Sequence, residues 1–182
     1  ATVHPTPDIL YMSAGGQKKY HERPFANGGG CPVISPLRYG KENSEVCVES
    51  IKLGAPIWVI VAPQAGATAP AALAGAVVQS VAEALAGLLM IDVVQPGFPV
   101  VLGPWPFVSD LRSGSFTGCS GEEAVVSAGA AQMVKFYDQP TSVGAGMNDF
   151  KIHLQCFDAF IVKATPGYRG ADITAFGCGL GN

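Results

Sequence analysis

The chain has 182 residues, of which 48% are hydrophobic and 14% charged, and a formal net charge of −3; its mean hydropathy is +0.30. This length sets one domain, residues 1–182, as the starting expectation. The apolar balance excludes a disordered chain and a charged coiled coil, and the net negative charge removes the electrostatic case for nucleic acid or an anionic membrane surface as a partner.

Residues 1–5, Ala-Thr-Val-His-Pro, show neither a basic n-region nor an apolar h-region, so a signal peptide is not expected there. Asp8 to Met12 reads as a short strand. Cys31 to Ser35 is a β-branched run after glycines and reads as a buried strand. A helix follows over Glu42 to Leu53 and stops at Gly54, a C′ glycine. Pro56 to Val61 is the next strand. Ala69 to Val94 is long and apolar enough to suggest a membrane span, but Gln79, Ser80, Glu83 and Asp92 interrupt it, so it reads as a helix buried on most sides. Pro99 to Leu102 is a strand. Ser120-Gly-Glu-Glu123 is a capping box that opens a helix running to about Tyr137. Thr141 to Gly144 is a strand, Phe157 to Thr165 a helix and Asp172 to Phe176 a last strand.

Strands alternating with helices require a parallel sheet with right-handed crossovers. The connections into strands are short, and those leaving strands are long. That asymmetry predicts an α/β fold of the TIM-type (β/α) barrel class, with the site on the face formed by the loops after the strands. No G-x-G-x-x-G opens a helix after a first strand, which removes the case for a dinucleotide fold. Five or six strands can be read where a barrel needs eight, so the expected architecture is an incomplete barrel.

Four loops after strands could carry chemistry. Ala62 to Pro70 contains Gln64 and leads into a helix N-terminus; its amides could face an anion, or Thr68 could simply be an N-cap. Gly103 to Gly114 carries Trp105, Phe107, Asp110 and Arg112. The two rings could cage a quaternary ammonium and Arg112 could fork onto a carboxylate; equally, the rings could pack the loop down and Asp110 could brace Arg112. Gly144 to Lys151 has Gly144 and Gly146, which let a ligand approach the backbone, and Asp149 and Lys151, which could pair or point into the site. Residues 177–181 are glycine-rich but lack the lysine and helix of a phosphate loop. The five cysteines are dispersed and form no C-x-x-C, so they read as small buried hydrophobes in a reducing, cytoplasmic protein. The three histidines form no metal motif, and no metal ligand is expected.

Ala62 to Gly75, Pro104 to Gly114 and Gly144 to Lys151 together resemble the trimethylamine methyltransferase family, and Cys31 to Leu37 and Arg169 to Ile173 also fit. The resemblance runs from about Gly15 onward and implies a barrel enzyme from a whole protein roughly twice this length. Family members move a methyl group from a methylated amine to the Co(I) corrinoid (cobalamin) of a separate small protein. In members that act on trimethylamine, pyrrolysine falls in the loop matching Gly144 to Lys151, and the matching position here is Met147. The chain therefore resembles members without pyrrolysine, such as those demethylating glycine betaine. The resemblance implies Met147, Asp149 and Lys151 as catalytic positions. Gln64, Trp105, Phe107, Asp110 and Arg112 become substrate-binding positions, with Gly144 and Gly146 beside the cofactor. Ile152-His-Leu-Gln155 departs from the Pro-Asp-Ala-Gln-type stretch of the family. A partial barrel also implies a homo-oligomer or a complementing chain. The alternative is a non-catalytic half-barrel that binds or scaffolds.

Overall fold

A computed structural model describes residues 6–112, 115–116, 120–144 and 173–175. In chain order the elements are α1 (Thr6–Ala14), α2 (Gln17–Glu22), β1 (Gly28–Gly30), β2 (Val33–Ile34), β3 (Arg38–Tyr39), α3 (Lys41–Lys52), β4 (Ile57–Val61), β5 (Gln64–Ala65) and α4 (Leu73–Val94). Then come β6 (Val100–Pro104), β7 (Phe107–Asp110), β8 (Ser115–Phe116), α5 (Gly121–Phe136), β9 (Ser142–Gly144) and β10 (Ile173–Ala175).

The main strands lie side by side in the order in which the chain makes them. β1, β4 and β6 form a parallel sheet in that order, with Val59 opposite both Gly30 and Leu102. A parallel bridge from Leu102 to Thr141 carries the row on to β9, which pairs in parallel with β10. A doubly wound sheet reverses its strand order at a switch point, whereas a (β/α) barrel keeps strict succession. Succession holds across all five strands. Among the described residues the row is not closed: β1 and β10 each have one neighbour.

The helices cover one face of this row. Ile57, Val59 and Val61 alternate with half-buried Trp58 and Ile60 along β4, as period-two geometry requires. The first three join Cys47 and Ile51 of α3, Ala84 and Ile91 of α4 and Leu102 of β6 in the main core. Trp58 and Ile60 therefore face away from the helices, toward what would be a barrel interior. Glycines set how closely the layers approach. A Cβ at Gly87 of α4 would lie 2.6 Å from Val59, and one at Gly30 would lie 2.4 Å from the Cys47 Sγ. Gly30→Ala should cost about 1–3 kcal/mol through overpacking. Adding Cys47→Ala should recover most of that loss in a urea double-mutant cycle, because it removes the atom struck. Strict additivity would show that the clash is not the cause.

The loops after β4 and β6 build a smaller sheet beyond the strand ends. β5 pairs in parallel with β7, bringing Gln64 opposite Phe107, and β8 adds antiparallel to β7. The Trp105 amide donates to Val61 O and the Phe107 amide to Pro63 O, each at 2.9 Å. The β4–β6 ladder thus continues into β5–β7, with Pro63 and Pro106 at the step where a donor is missing.

Several sequence expectations change. Asp8 to Met12 lies within helix α1 and is not a strand. The first parallel strand is Gly28–Gly30, which a run of glycines hides. In the Cys31–Ser35 run only Val33–Ile34 is strand, and it forms a short hairpin with β3 across the cis Ser35–Pro36 peptide. The long helix starts at Leu73, with Ala72 as its N-cap. Thr68 caps no helix: its hydroxyl accepts from the Gln64 amide at 2.9 Å and closes the 64–69 turn. The Ser120 cap is as expected, its Oγ accepting the Glu123 amide at 3.1 Å, and Gly54 follows α3 at φ +69°. The Phe157–Thr165 helix lies outside the described residues.

Candidate functional site

Strands β4, β6 and β9 meet at a pair of indoles, one near the start of β4 and one just past the carboxyl end of β6. Trp58 stands on the face of β4 turned from the helices, and its Nε1–H donates to Ser142 Oγ on β9. Trp105 follows directly after β6. The two rings meet edge to face, with centroids 5.5 Å apart and planes at 79°. The Trp105 ring lies over Gly144 at the end of β9, where a Cβ would come 3.7 Å from the indole. Glycine at 144 thus lets the ring sit flat against the strand. Gly103 serves the same face, since a Cβ there would lie 2.9 Å from Trp58 Nε1 and 3.0 Å from Ser142 Oγ. The Trp105 Nε1 is buried without a partner among the described residues.

Two half-buried indoles inclined at 79° offer aromatic surface in two orientations at one place. Quaternary ammonium groups are attracted to such faces, because the ring quadrupole favours positive charge while the methyl groups need little hydration. Ser142 fixes one ring and Gly144 seats the other.

The residues singled out from sequence fall into three groups. Trp105 and Gly144 come together as described. Gln64 and Phe107 are register partners on the small sheet just beyond, both half-buried. Asp110 and Arg112 lie at the far end of that sheet. The Asp110 Oδ1 accepts the Arg112 amide at 2.9 Å and faces its Nε at 3.5 Å, while the Arg112 side chain is 95% exposed. The bracing anticipated between these two is therefore present. Gly146, Met147, Asp149 and Lys151 lie outside the described residues.

Trp58 and Ser142 escaped the sequence reading. Trp58 sits in an unbroken apolar run, where an aromatic residue reads as core. The signal available was its phase: it is out of step with Ile57, Val59 and Val61. Among the cysteines, Cys47 is buried, and burial pushes its thiol up to about 11. It stays protonated at neutral pH and acts as a packing group. Cys31 is exposed, contrary to the buried reading. No group of three His, Cys, Asp or Glu side chains placed to hold a metal occurs among the described residues.

Residues 7–156 match the model of the family described as trimethylamine methyltransferase (MTTB). The chain is 35% identical over 118 residues to a glycine betaine methyltransferase of Desulfitobacterium hafniense strain Y51, covering 65% of this chain and 25% of that protein. It is 32% identical over 147 residues to the trimethylamine methyltransferase MttB of D. hafniense strain DCB-2, covering 79% and 29%. With MttB of Methanosarcina thermophila it shares 29% identity over 176 residues, 95% of this chain and 36% of that one. The chain thus spans between a quarter and about a third of its relatives' length, less than the half that the sequence resemblance implied. The chain belongs to the trimethylamine methyltransferase (MTTB) family.

Proposed function

We propose that the chain forms part of a TIM-type barrel methyltransferase. It would demethylate a quaternary or tertiary methylated amine of the glycine betaine kind. The observation that carries this reading is the Trp58–Trp105 pair, in which Trp105 follows the carboxyl end of β6 and meets Trp58 on the face of β4 turned from the helices. The corrinoid of a separate cytoplasmic protein supplies the Co(I) nucleophile that accepts the methyl group. A quaternary ammonium needs no further activation, because its leaving group is a neutral tertiary amine. The task left to this chain is to hold the cation with one methyl group facing out for in-line approach.

The parts fit that task. Aromatic faces hold a cation without a counter-charge that would pin it. Gly144 keeps the backbone low beside the approach path, and Gly146 is assigned to the cofactor side by the family resemblance alone. In sequence Met147, Asp149 and Lys151 follow β9 and keep the catalytic roles the resemblance implies, with Met147 at the position where pyrrolysine-containing members carry their special residue. Gln64 and Phe107 extend the site. Arg112 is the carboxylate clamp in this proposal, its exposed guanidinium turning from Asp110 to a betaine carboxylate.

Both tryptophans of the chain stand in this site, so intrinsic fluorescence reports on it directly. Titration with glycine betaine should give a saturable change in emission, and corrinoid-dependent demethylation should follow with the natural polypeptide. Saturable binding without turnover would favour the non-catalytic half-barrel, and no emission change would remove the amine site. Arg112→Ala should lower betaine turnover about tenfold while leaving choline, which has no carboxylate, within about twofold. Equal loss on both would remove the clamp.

A further inference from the structure

The sequence expectation of a helix buried on most sides fails for α4, since Val78, Leu89 and Val93 on its outer side are 61–76% exposed. Its inner side covers one face of the strand row. The opposite face holds polar groups that the fold leaves unsatisfied. Side chains alternate between the two faces along a strand. Leu102 packs toward the helices, so Trp105 lies on the other face, where it meets Trp58. On the small sheet, Ala65 and Val108 pack with Ala69 and with Ala76 of α4. Their neighbours Gln64, Phe107 and Ser109 therefore share the face of the indoles, because the β4–β6 ladder runs on into β5–β7.

Trp105 Nε1 and Ser109 Oγ are the two buried side-chain polar atoms without a partner among the described residues, and both fall on this face. Gln64 stands between them in level, opposite Phe107. Its backbone is pinned: the amide donates to Thr68 Oγ1, and the carbonyl accepts from the amides of Ala67, Thr68 and Ala69. Its half-buried carboxamide makes no hydrogen bond among the described residues. Buried donors left unpaired are unfavourable, and folded chains seldom keep them without a use.

We propose that this polar shelf beyond the indoles takes the anionic arm of the substrate, and that it selects an arm longer than the single methylene of glycine betaine. The proposal rests on the amine reading of the indole pair. A strand rises about 3.3 Å per residue, so the Gln64–Phe107 level lies roughly 7 Å past Trp105 and Ser109 one such step further. Each bond of an extended chain adds only about 1.3 Å, so a carboxylate on one methylene stays beside the ammonium, whereas three methylenes carry its oxygens about 6 Å away, to the level of Gln64. The arm then runs along the face toward the Ser109 hydroxyl, with Arg112 at the far end of the same sheet. A short arm leaves these donors unpaired, which is how a site built for hydrogen bonds rejects a ligand that lacks the matching oxygen.

The test is calorimetric binding to the natural polypeptide of trimethylammonio carboxylates with one, two and three methylenes, each compared with the alkyltrimethylammonium of the same chain length. That ratio cancels the apolar gain of each added methylene. The preference for acid over alkyl should be small at one methylene and reach about tenfold or more at three, as for hydrogen bonds to a charged group. Ser109→Ala and Gln64→Leu should each bring the three-methylene preference below about threefold and leave tetramethylammonium binding within about twofold. Ser109→Ala removes an unpaired hydroxyl, so its urea midpoint should match the wild type; a lowered midpoint would make the hydroxyl a brace of the fold and overturn its assignment. A preference that is independent of arm length, or that survives both substitutions, would overturn the shelf and leave the amine site standing. If tetramethylammonium and the whole series fail to bind, the amine reading falls and the shelf with it.

Discussion

Trp105→Ala should weaken glycine betaine binding by about ten- to thirtyfold, the loss expected when a cation–π contact and its apolar cover are removed together. The geometry gives the reason. Trp105 is held by the ladder bond from its amide to Val61 O, by its edge-to-face contact with Trp58, centroids 5.5 Å apart, and by the bare strand at Gly144. Truncation removes one ring of the pair and leaves the backbone ladder in place. Trp105→Phe keeps a π face in the same seat and should lose only about threefold. The readout specific to charge is the neutral isostere 3,3-dimethylbutanoate, in which carbon replaces the ammonium nitrogen. Wild-type protein should prefer betaine to this isostere by about tenfold, and the preference should narrow toward unity in Trp105→Ala. Equal binding of both ligands by the wild type would mean that the site reads shape alone, and the cation cage would fall.

The route to that pair shows what a sequence can reveal. The strands at Pro56–Val61, Pro99–Leu102, Thr141–Gly144 and Asp172–Phe176 were legible because β-branched runs between Pro and Gly have few other solutions. β1 was not legible, because Gly28–Gly30 has the composition of a loop. Its glycines are set by a neighbour far along the chain: Cβ atoms at 28 and 30 would strike Ser50 and Cys47 of α3. Asp8–Met12 misled for the opposite reason, since a short apolar segment carries no clear period. Trp105 and Gly144 could be nominated because they flank strand ends, but only the fold sets the ring on the glycine. Trp58 required knowing which face of β4 the helices take. The outer face of α4 was hidden because both of its stripes are apolar, so composition points to burial while the layers leave one side open.

Glu83→Ala should destabilise the protein by about 2–3 kcal/mol, the cost of removing the common acceptor from a set of neutral donors. Glu83 lies fully buried in the middle of α4 with no cation beside it among the described residues, and its carboxylate is held by donors alone. The Ser35 hydroxyl donates to Oε2 at 2.6 Å, while the Leu37 amide and the Gln79 Nε2 donate to Oε1 at 3.1 and 2.9 Å. Gln79 also donates to Thr68 O at 2.8 Å. Glu83 and Gln79 together therefore tie two loops to α4: Glu83 holds the 35–37 turn after β2, and Gln79, bonded to Glu83, holds the 64–69 turn after β4. Both loops leave carboxyl ends of the parallel strands, on the side where the indoles meet. Alanine would take the acceptor from the Ser35 hydroxyl and the Leu37 amide, leave Gln79 only its bond to Thr68 O, and should lower the Tm by roughly 5–10 °C for a chain of this size. Glu83→Gln separates hydrogen bonding from charge. Its carbonyl still accepts from Leu37 and Gln79, and its amide can donate to Ser35 Oγ if that hydroxyl turns, so the loss should stay near 1 kcal/mol. Equal losses for the two variants would mean that the charge itself, and not the set of donors, holds the loops. A loss below about 1 kcal/mol for alanine would mean that the loops are held elsewhere. Because these turns support the small sheet that carries Gln64 opposite Phe107, Glu83→Ala should also blunt the fluorescence response to glycine betaine at temperatures where the protein remains folded, and Glu83→Gln should preserve it.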